Sequence, residues 1–371
     1  MKLLFFVYSL GCGGAERTTA NLANHWAEKG WEVVVVTLAP QGDDFYQLHP
    51  AVGRIALDMA ADSRHSAHAT HQNLQRILAL RRVLHSWRPE VAVGMMTTAN
   101  ILLAFAAWGL ANVRAIGSER VHPPALPLGA MWQLLRRVGY ARLAAVSALT
   151  SESARWLENN TGNRNVMVIP NPVVWPMPGR LPHLAPQSLL ETHRLVLLAV
   201  GRMELQKQFP LLMAAFASLA PSYPDWDLVI LGEGSGRQEM QALSMSPALA
   251  GRVFLPGAAG NMAEWYQRAS LFALSSHFEG FPNALVEAMA SGLPAVSFDC
   301  ETGPRDIVRH EVDGLLVPAQ DVAGLAAALA RLMGDAGLRR RFAQRAPDVR
   351  DRFSMPRISA MWESLFHGVR P

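Results

Sequence analysis

The feature that most constrains this chain is an alternation that runs through it twice. Short aliphatic runs recur between longer amphipathic stretches along most of the sequence. The pattern predicts strands over 2–8, 32–38, 91–95, 115–117, 142–146 and 166–169. A second series follows over 195–200, 227–231, 253–255, 271–274, 295–298 and 314–317. Strands separated by helix-length segments pair in parallel, with helices on both faces of the sheet. Two series imply two doubly wound α/β domains, which suits 371 residues at roughly 150 per domain. The seam is marked by proline: Ile169-Pro170-Asn171-Pro172 ends the first series, and Pro176, Pro178, Pro182 and Pro186 fall in a segment without period. Prolines at that density stop helices and sheets. The expected division is a first domain over 1–172, a stiff linker over 173–189, a second domain over 190–350 and a tail helix over 351–371. That tail carries Met361-Trp362 and Leu365-Phe366 in helical spacing and needs an apolar surface to cover.

Composition excludes several classes. Half the residues are apolar and 17% are charged, against about 25% in an average domain. Disorder and low complexity are therefore excluded. Two cysteines, Cys12 and Cys300, make no disulfide scaffold and fit a reducing cytoplasm. The longest apolar run, 101–111, is too short to span a bilayer and predicts a buried helix. Residues 1–10 read as a first strand rather than a signal peptide, because a glycine-rich turn and a charged helix follow at once.

The formal charge is 34 − 30 = +4, and only three of the 34 basic residues are lysines: Lys2, Lys29 and Lys207. The arginine excess fits codon bias, yet a lysine kept under that bias can mark a place where arginine cannot substitute. The stretch Met131-Trp132-Gln133-Leu134-Leu135-Arg136-Arg137-Val138-Gly139-Tyr140 is amphipathic and basic, with aromatic residues near its ends. That composition suits a helix lying on an anionic membrane. A second basic helix over 64–88 carries Arg64, Arg76, Arg81, Arg82 and Arg88. Ordinary solvated helix faces explain both stretches as well. Nucleic acid is not an expected partner, since no lysine-rich arm, zinc spacing or aromatic-basic platform is present.

In doubly wound domains the ligand sits beyond the carboxyl ends of the strands. The unusual residues lie in those loops. Gly11-Cys12-Gly13-Gly14-Ala15-Glu16-Arg17 joins the first strand to the first helix, where glycines let backbone amides approach an anion. It is not a dinucleotide fingerprint, because Glu16 stands where the third glycine belongs. Gly201-Arg202-Met203-Glu204-Leu205-Gln206-Lys207 follows the first strand of the second domain. Arg202 and Lys207 would clamp a diphosphate, one as a fork donor and one as a point charge. Glu279-Gly280-Phe281-Pro282-Asn283-Ala284-Leu285-Val286-Glu287 crosses a loop into a helix closed by Gly292. Glu287, among apolar neighbours, should hold hydroxyl donors such as a ribose diol, because a lone buried carboxylate is costly. Glu279 is placed for the hydroxyls of whatever the diphosphate carries, and the amides of Phe281, Asn283 and Ala284 face the same space. Asp225-Trp226-Asp227 imitates a metal-binding D-x-D, but Asp227 opens a strand at the end away from the ligand, and no histidine spacing suits a metal. No metal and no cofactor is expected.

The motif over 279–292 resembles the E-x7-E signature of retaining glycosyltransferase family 4, whose members have the GT-B fold. Gly13-Gly14-Ala15-Glu16-Arg17, Ile169-Pro170-Asn171-Pro172, Gly201-Arg202 with Lys207, Gly232-Glu233-Gly234, Gly303-Pro304 and Asp313-Gly314-Leu315-Leu316-Val317 match the family in order and spacing. The resemblance is closest to bacterial enzymes of lipid-linked oligosaccharide and exopolysaccharide synthesis, N-acetylgalactosamine transferases among them. It implies two Rossmann-like domains facing across a cleft, with the tail helix crossing back to the first. It also implies an acceptor-binding first domain and a second domain that binds the nucleotide-sugar.

The roles implied by that family are specific. Arg202 and Lys207 would neutralise the diphosphate of a UDP-sugar, which is a substrate and not a cofactor. Glu287 would hold the ribose, and Glu279 the donor sugar. Gly280, Phe281, Pro282, Asn283 and Ala284 would line the donor site, Pro256 and Gly257 would border the base, and Gly14 would shape the pocket near the phosphate. Gly13, Glu16, Glu119, Arg120 and His122 would contact the acceptor or sugar, with either Arg120 or His122 standing where many relatives have histidine. The implied activity is transfer of one hexose or N-acetylhexosamine, with retention, to a lipid-linked glycan or polysaccharide precursor. The implied place is the cytoplasmic face of the inner membrane, touched through the first domain. Two other functions suit the same residues: a UDP-sugar epimerase or phosphorylase, and a non-catalytic membrane-surface adaptor.

Overall fold

A computed structural model of the chain describes residues 1–60 and 66–368, with the side chains of 66–69 left out. Two compact units form: Met1–Pro172 with the chain from Met355 onward, and Val173–Ser354.

The first unit runs β1 (Lys2–Val7), α1 (Gly14–Glu28), β2 (Glu32–Thr37), β3 (Val52–Ala56), α2 (Ser66–Trp87), β4 (Val91–Met95), α3 (Thr97–Ala107), β5 (Arg114–Ser118), α4 (Ala130–Tyr140), β6 (Ala145–Ala148), α5 (Ser151–Asn160) and β7 (Val166–Val168). The seven strands are ordered β3-β2-β1-β4-β5-β6-β7, all parallel, with Phe5 beside Val35 and Val93. Alternation along β1 sorts the core into two layers. Leu3, Phe5 and Val7 pack with Leu22 and Trp26 of α1 on one face. Leu4 and Phe6 pack with Leu80 and Leu84 of α2, Leu102 and Leu103 of α3 and Tyr140 of α4 on the other. The tail helix, Met355–Gly368, lies on the α1 face, where Ile358, Trp362, Leu365 and Phe366 are buried. The Trp26 and Phe366 ring centroids are 5.3 Å apart. This is the apolar surface that the tail pattern requires.

The second unit runs β8 (Leu195–Val200), α6 (Phe209–Leu219), β9 (Trp226–Leu231), α7 (Arg237–Ser244), β10 (Val253–Gly257), α8 (Met262–Arg268), β11 (Leu271–Leu274), α9 (Asn283–Ala290), β12 (Ala295–Asp299), α10 (Pro304–Ile307), β13 (Gly314–Pro318), α11 (Val322–Gly334), α12 (Ala336–Arg345) and α13 (Val349–Arg352). Its six parallel strands are ordered β10-β9-β8-β11-β12-β13. The order reverses beside β8 and β11, so the loops leaving those two strands diverge and leave room for a ligand.

Three expectations change. The strand β3 has no clear sequence signal, because Gly53 and Arg54 interrupt its apolar run; it is an edge strand, fixed by Arg54 pairing with both oxygens of Asp44 at 2.8 Å. The strand expected over 142–146 begins only at Ala145, since Arg142 and Leu143 turn back to the carbonyls of Gly139 and Tyr140. The prolines over 173–189 do not form a free linker. That segment lies on the second unit, where Gly260 exchanges backbone bonds with Arg180 and Pro182 and Asn261 brackets Leu184.

Candidate active site

In the second unit, four loops at the carboxyl ends of β8, β9, β11 and β12 are laced together. The Gly236 amide donates to the Met203 carbonyl across the first two, and the Met203 amide donates to the Glu233 carbonyl. Glu204 accepts from the hydroxyl and amide of Ser235. Gly232 has φ of 140°, and a Cβ there would lie 1.9 Å from the Gly201 carbonyl oxygen. Only glycine lets these two loops touch.

The chemistry-bearing side chains meet at the next pair of loops. The Lys207 ammonium lies 2.5 Å from Glu279 Oε1, with the two side chains 15% and 8% exposed. Ser276 donates to the same oxygen at 2.6 Å. The Thr302 hydroxyl donates to the Glu279 carbonyl, tying in the loop after β12. Gln206 donates to the Phe278 carbonyl at 2.8 Å and Ser275 to the Lys207 carbonyl at 2.8 Å. The Lys207 stem folds over Gly201, where a Cβ would come within 2.8 Å of its Cε. Arg202, on the same loop, is exposed, and its guanidinium has no hydrogen-bond or ion-pair partner among the described residues. The loop therefore offers one cation held in a fixed pair and one open to solvent.

Helix α9 starts after Pro282, with Gly292 in the left-handed region at φ 89° beyond its end. Phe281 and Pro282 are buried; Gly280, Asn283 and Ala284 are half-buried. Glu287 is half-buried rather than enclosed, so the burial argument for it is weaker than expected. It does hold a hydroxyl donor, for Tyr266 reaches Glu287 Oε2 at 3.3 Å. Pro256 and Gly257 lie inside β10, at its carboxyl end, and Gly257 sits against Glu233. Asp227 is 1% exposed and its carboxylate is held by Arg194 and Arg252 at 2.5 and 3.2 Å, at the amino end of β9. Its partners are guanidinium groups.

In the first unit, Gly13 precedes α1 and Gly14 opens it. The Glu16 carboxylate lies so close over Gly13 that a Cβ there would be 2.1 Å from Oε2. Glu119, Arg120 and His122 are all buried. Thr97 and Tyr140 each donate to a Glu119 oxygen at 2.7 Å, and Asn100 donates to the Tyr140 hydroxyl. Burial pushes the Glu119 carboxyl up, against those hydrogen bonds, and lowers Arg120 to about 9. Arg120 donates to Ser118 and to Asn171, which also accepts from Thr18 of α1. Asn171 thus joins the loop after β5 to the first turns of α1. It lies within Ile169-Pro170-Asn171-Pro172, where no local pattern marks its role. His122 Nδ1 pairs with Ser153 at 3.0 Å. Ser276, Gln206, Thr302 and Tyr266 likewise escaped sequence reasoning, because single polar residues in loops carry no spacing signal.

The two basic helices also change. In α4, Arg136 and Tyr140 are buried: Arg136 stacks on Trp156, 4.4 Å from its centroid, and bonds Gln133. In α2, Arg76 binds the Met59 carbonyl and Arg81 the Ala106 and Trp108 carbonyls, while Arg82 is exposed. Arg64 lies outside the described residues. No helix among the described residues is long and apolar enough to cross a membrane.

Two doubly wound units of this kind, with cationic and acidic loops beyond the strands of the second, define the GT-B class. "Glycosyl transferase 4-like domain" matches residues 13–172 and "Glycosyl transferases group 1" matches 183–349. The chain belongs to the family 4 type of glycosyltransferases. A Campylobacter jejuni alpha-1,4-N-acetyl-D-galactosaminyltransferase, named for a diNAcBac-PP-undecaprenol glycan, is 27% identical over 100% of this chain and 99% of its own. A Streptomyces coelicolor exopolysaccharide phosphotransferase is 36% identical over 73% of this chain, which spans only 28% of that protein. The Anabaena HepE structure in complex with UDP superposes with a TM-score of 0.81 at 19% identity, covering 100% of both chains.

Proposed function

We propose that the enzyme transfers one hexose or N-acetylhexosamine from a UDP-sugar to a lipid-linked glycan or polysaccharide precursor, with retention and without a metal. The observation that carries this is the Lys207–Glu279 pair beside the open cation of Arg202. The names of the relatives and the UDP in the HepE structure support the choice of donor and acceptor.

In this reading Arg202 and Lys207 meet the two phosphates, Glu287 and Tyr266 the ribose, and Pro256 and Gly257 the base. Glu279 and the backbone of Gly280, Phe281, Pro282, Asn283 and Ala284 meet the sugar. As the bond from anomeric carbon to phosphate oxygen breaks, charge grows on the diphosphate. A preorganised cation stabilises that charge more in the transition state than in the ground state, by about 3 kcal/mol. The acceptor hydroxyl attacks on the face that the phosphate leaves, and its proton passes to the departing phosphate oxygen. Gly14 shapes the pocket near the phosphate, and Gly13 and Glu16 the acceptor side. Arg120 contacts the acceptor or sugar, His122 borders it, and Glu119 holds the loop that presents them. The enzyme works at the cytoplasmic face of the inner membrane, which its first domain touches.

A screen of UDP-sugars with membrane extract, read by product mass, tests this. One donor should add a single sugar mass to a lipid-linked glycan. Release of UDP without acceptor, or binding of no UDP-sugar, would overturn it.

A further inference from the structure

Helices α2, α3 and α4 pack side by side on one face of the first unit, with α3 buried in the middle. Their outward side carries five exposed large apolar side chains. Met131 and Leu134 of α4 are 67% and 56% exposed, Leu74 and Leu78 of α2 are exposed, and Trp108, just beyond α3, is 60% exposed. Arg142 lies over the Trp108 ring, 4.3 Å from its centroid, and its Nη1 bonds the Val138 carbonyl. Arg81 fixes the Trp108 carbonyl from the other side at 2.6 Å. Beside this stack opens a groove of about 500 Å³, lined by Ala104, Ala107, Leu110 and Val113 together with Arg114 and Arg142.

The charge at the groove has one sign: Arg114 and Arg142 line it, Arg81 holds the carbonyl of its Trp108, and no acidic residue lines it. Glu119 is buried, and Glu90 accepts from the Lys2 amide. None of the three helices contains an acidic residue. Arg137 is exposed on α4, and its guanidinium has no hydrogen-bond or ion-pair partner among the described residues. Exposed apolar side chains beside arginines that line a groove without acidic residues complement a surface with buried hydrocarbon and an anionic rim.

We propose that the groove beside Trp108 holds one anionic phospholipid of a bilayer, its phosphate on the Arg142 guanidinium and its glyceryl and upper acyl part against Ala104, Leu110 and Val113. Trp108 then lies at the headgroup level, where tryptophan is favoured. This rests on the reading that the enzyme works at a membrane, and gives that contact a place.

Vesicle co-sedimentation of the full chain tests the site without donor or acceptor, so its failure leaves the transferase reading intact. The chain should bind phosphatidylglycerol–phosphatidylcholine vesicles and not pure phosphatidylcholine. Arg142→Ala and Trp108→Ala should each weaken binding about fivefold or more, as expected for a basic or interfacial group at an anionic surface. Arg82→Ala makes the same charge change on α2 and should weaken it less than twofold. UDP binding and melting temperature should not move in any of the three. Equal losses for Arg82→Ala and Arg142→Ala would replace the groove with a diffuse field and overturn the proposal. So would full competition by soluble glycerol phosphate, or equal binding to both vesicle types.

Discussion

Replacing Lys207 by methionine separates the two jobs of its ammonium. The side chain is packed over Gly201 and ends 2.5 Å from Glu279, in a pair 15% and 8% exposed. Removing one member of a fully buried pair costs about 3–5 kcal/mol. Here water reaches both ends, and Ser276 still donates to the carboxylate at 2.6 Å. A loss of about 2 kcal/mol follows, which lowers the melting temperature of a unit this size by about 4–8 °C. The catalytic loss is separate. One preorganised donor at a developing oxyanion is worth about 10²–10³ in kcat. Adding Glu279→Gln removes the uncompensated charge, so the double variant should regain most of the stability and none of the activity. The assay is UDP release in the presence of acceptor, beside a thermal melt. Lys207→Met activity within threefold of wild type, or recovery of activity in the double variant, would refute the reasoning.

Other outcomes follow from the same contacts. Lys207→Arg should lower kcat about tenfold or more, since a planar fork cannot replace a point charge packed over Gly201; Lys29→Arg, whose exposed pair with Glu363 spans 3.0 Å, should leave it unchanged in the same transfer assay. Gly232→Ala sets a Cβ against the Gly201 carbonyl and should both destabilise the second unit and weaken UDP binding, seen by melt and titration. Folding raises the Glu119 carboxyl above its ordinary 4.5, so its contribution to stability is full below that value and is lost as pH rises through the raised one. Glu119→Gln should remove that slope, so the melting temperature of the wild type should fall relative to that of the variant from acid to neutral pH.

The architecture was legible because strand–helix alternation is written in hydrophobicity. The two edges of that success are instructive. Strand β3 was missed because half of an edge strand faces water and Gly53-Arg54 leaves no apolar run. The amphipathic stretch of α4 is legible, but Arg137 alone of its two charges stays exposed: Arg136 and the ring of Tyr140 turn inward to Trp156 and Asn100, contacts set by tertiary packing. Lys207 and Glu279 could be named from their loops, but not paired, since 72 residues separate them. Asn171 shows the same limit, for its bonds to Arg120 and Thr18 join loops that only the parallel sheet brings together.

The most direct test of the central claim is calorimetric titration of UDP into the wild-type chain and into Lys207→Ala and Glu287→Ala. The account predicts that UDP binds the wild type, and that each variant binds about tenfold or more weakly, a loss of roughly 1.4 kcal/mol, while its melt still shows a folded second unit. No binding by the wild type, or unchanged affinity in both variants, would contradict it.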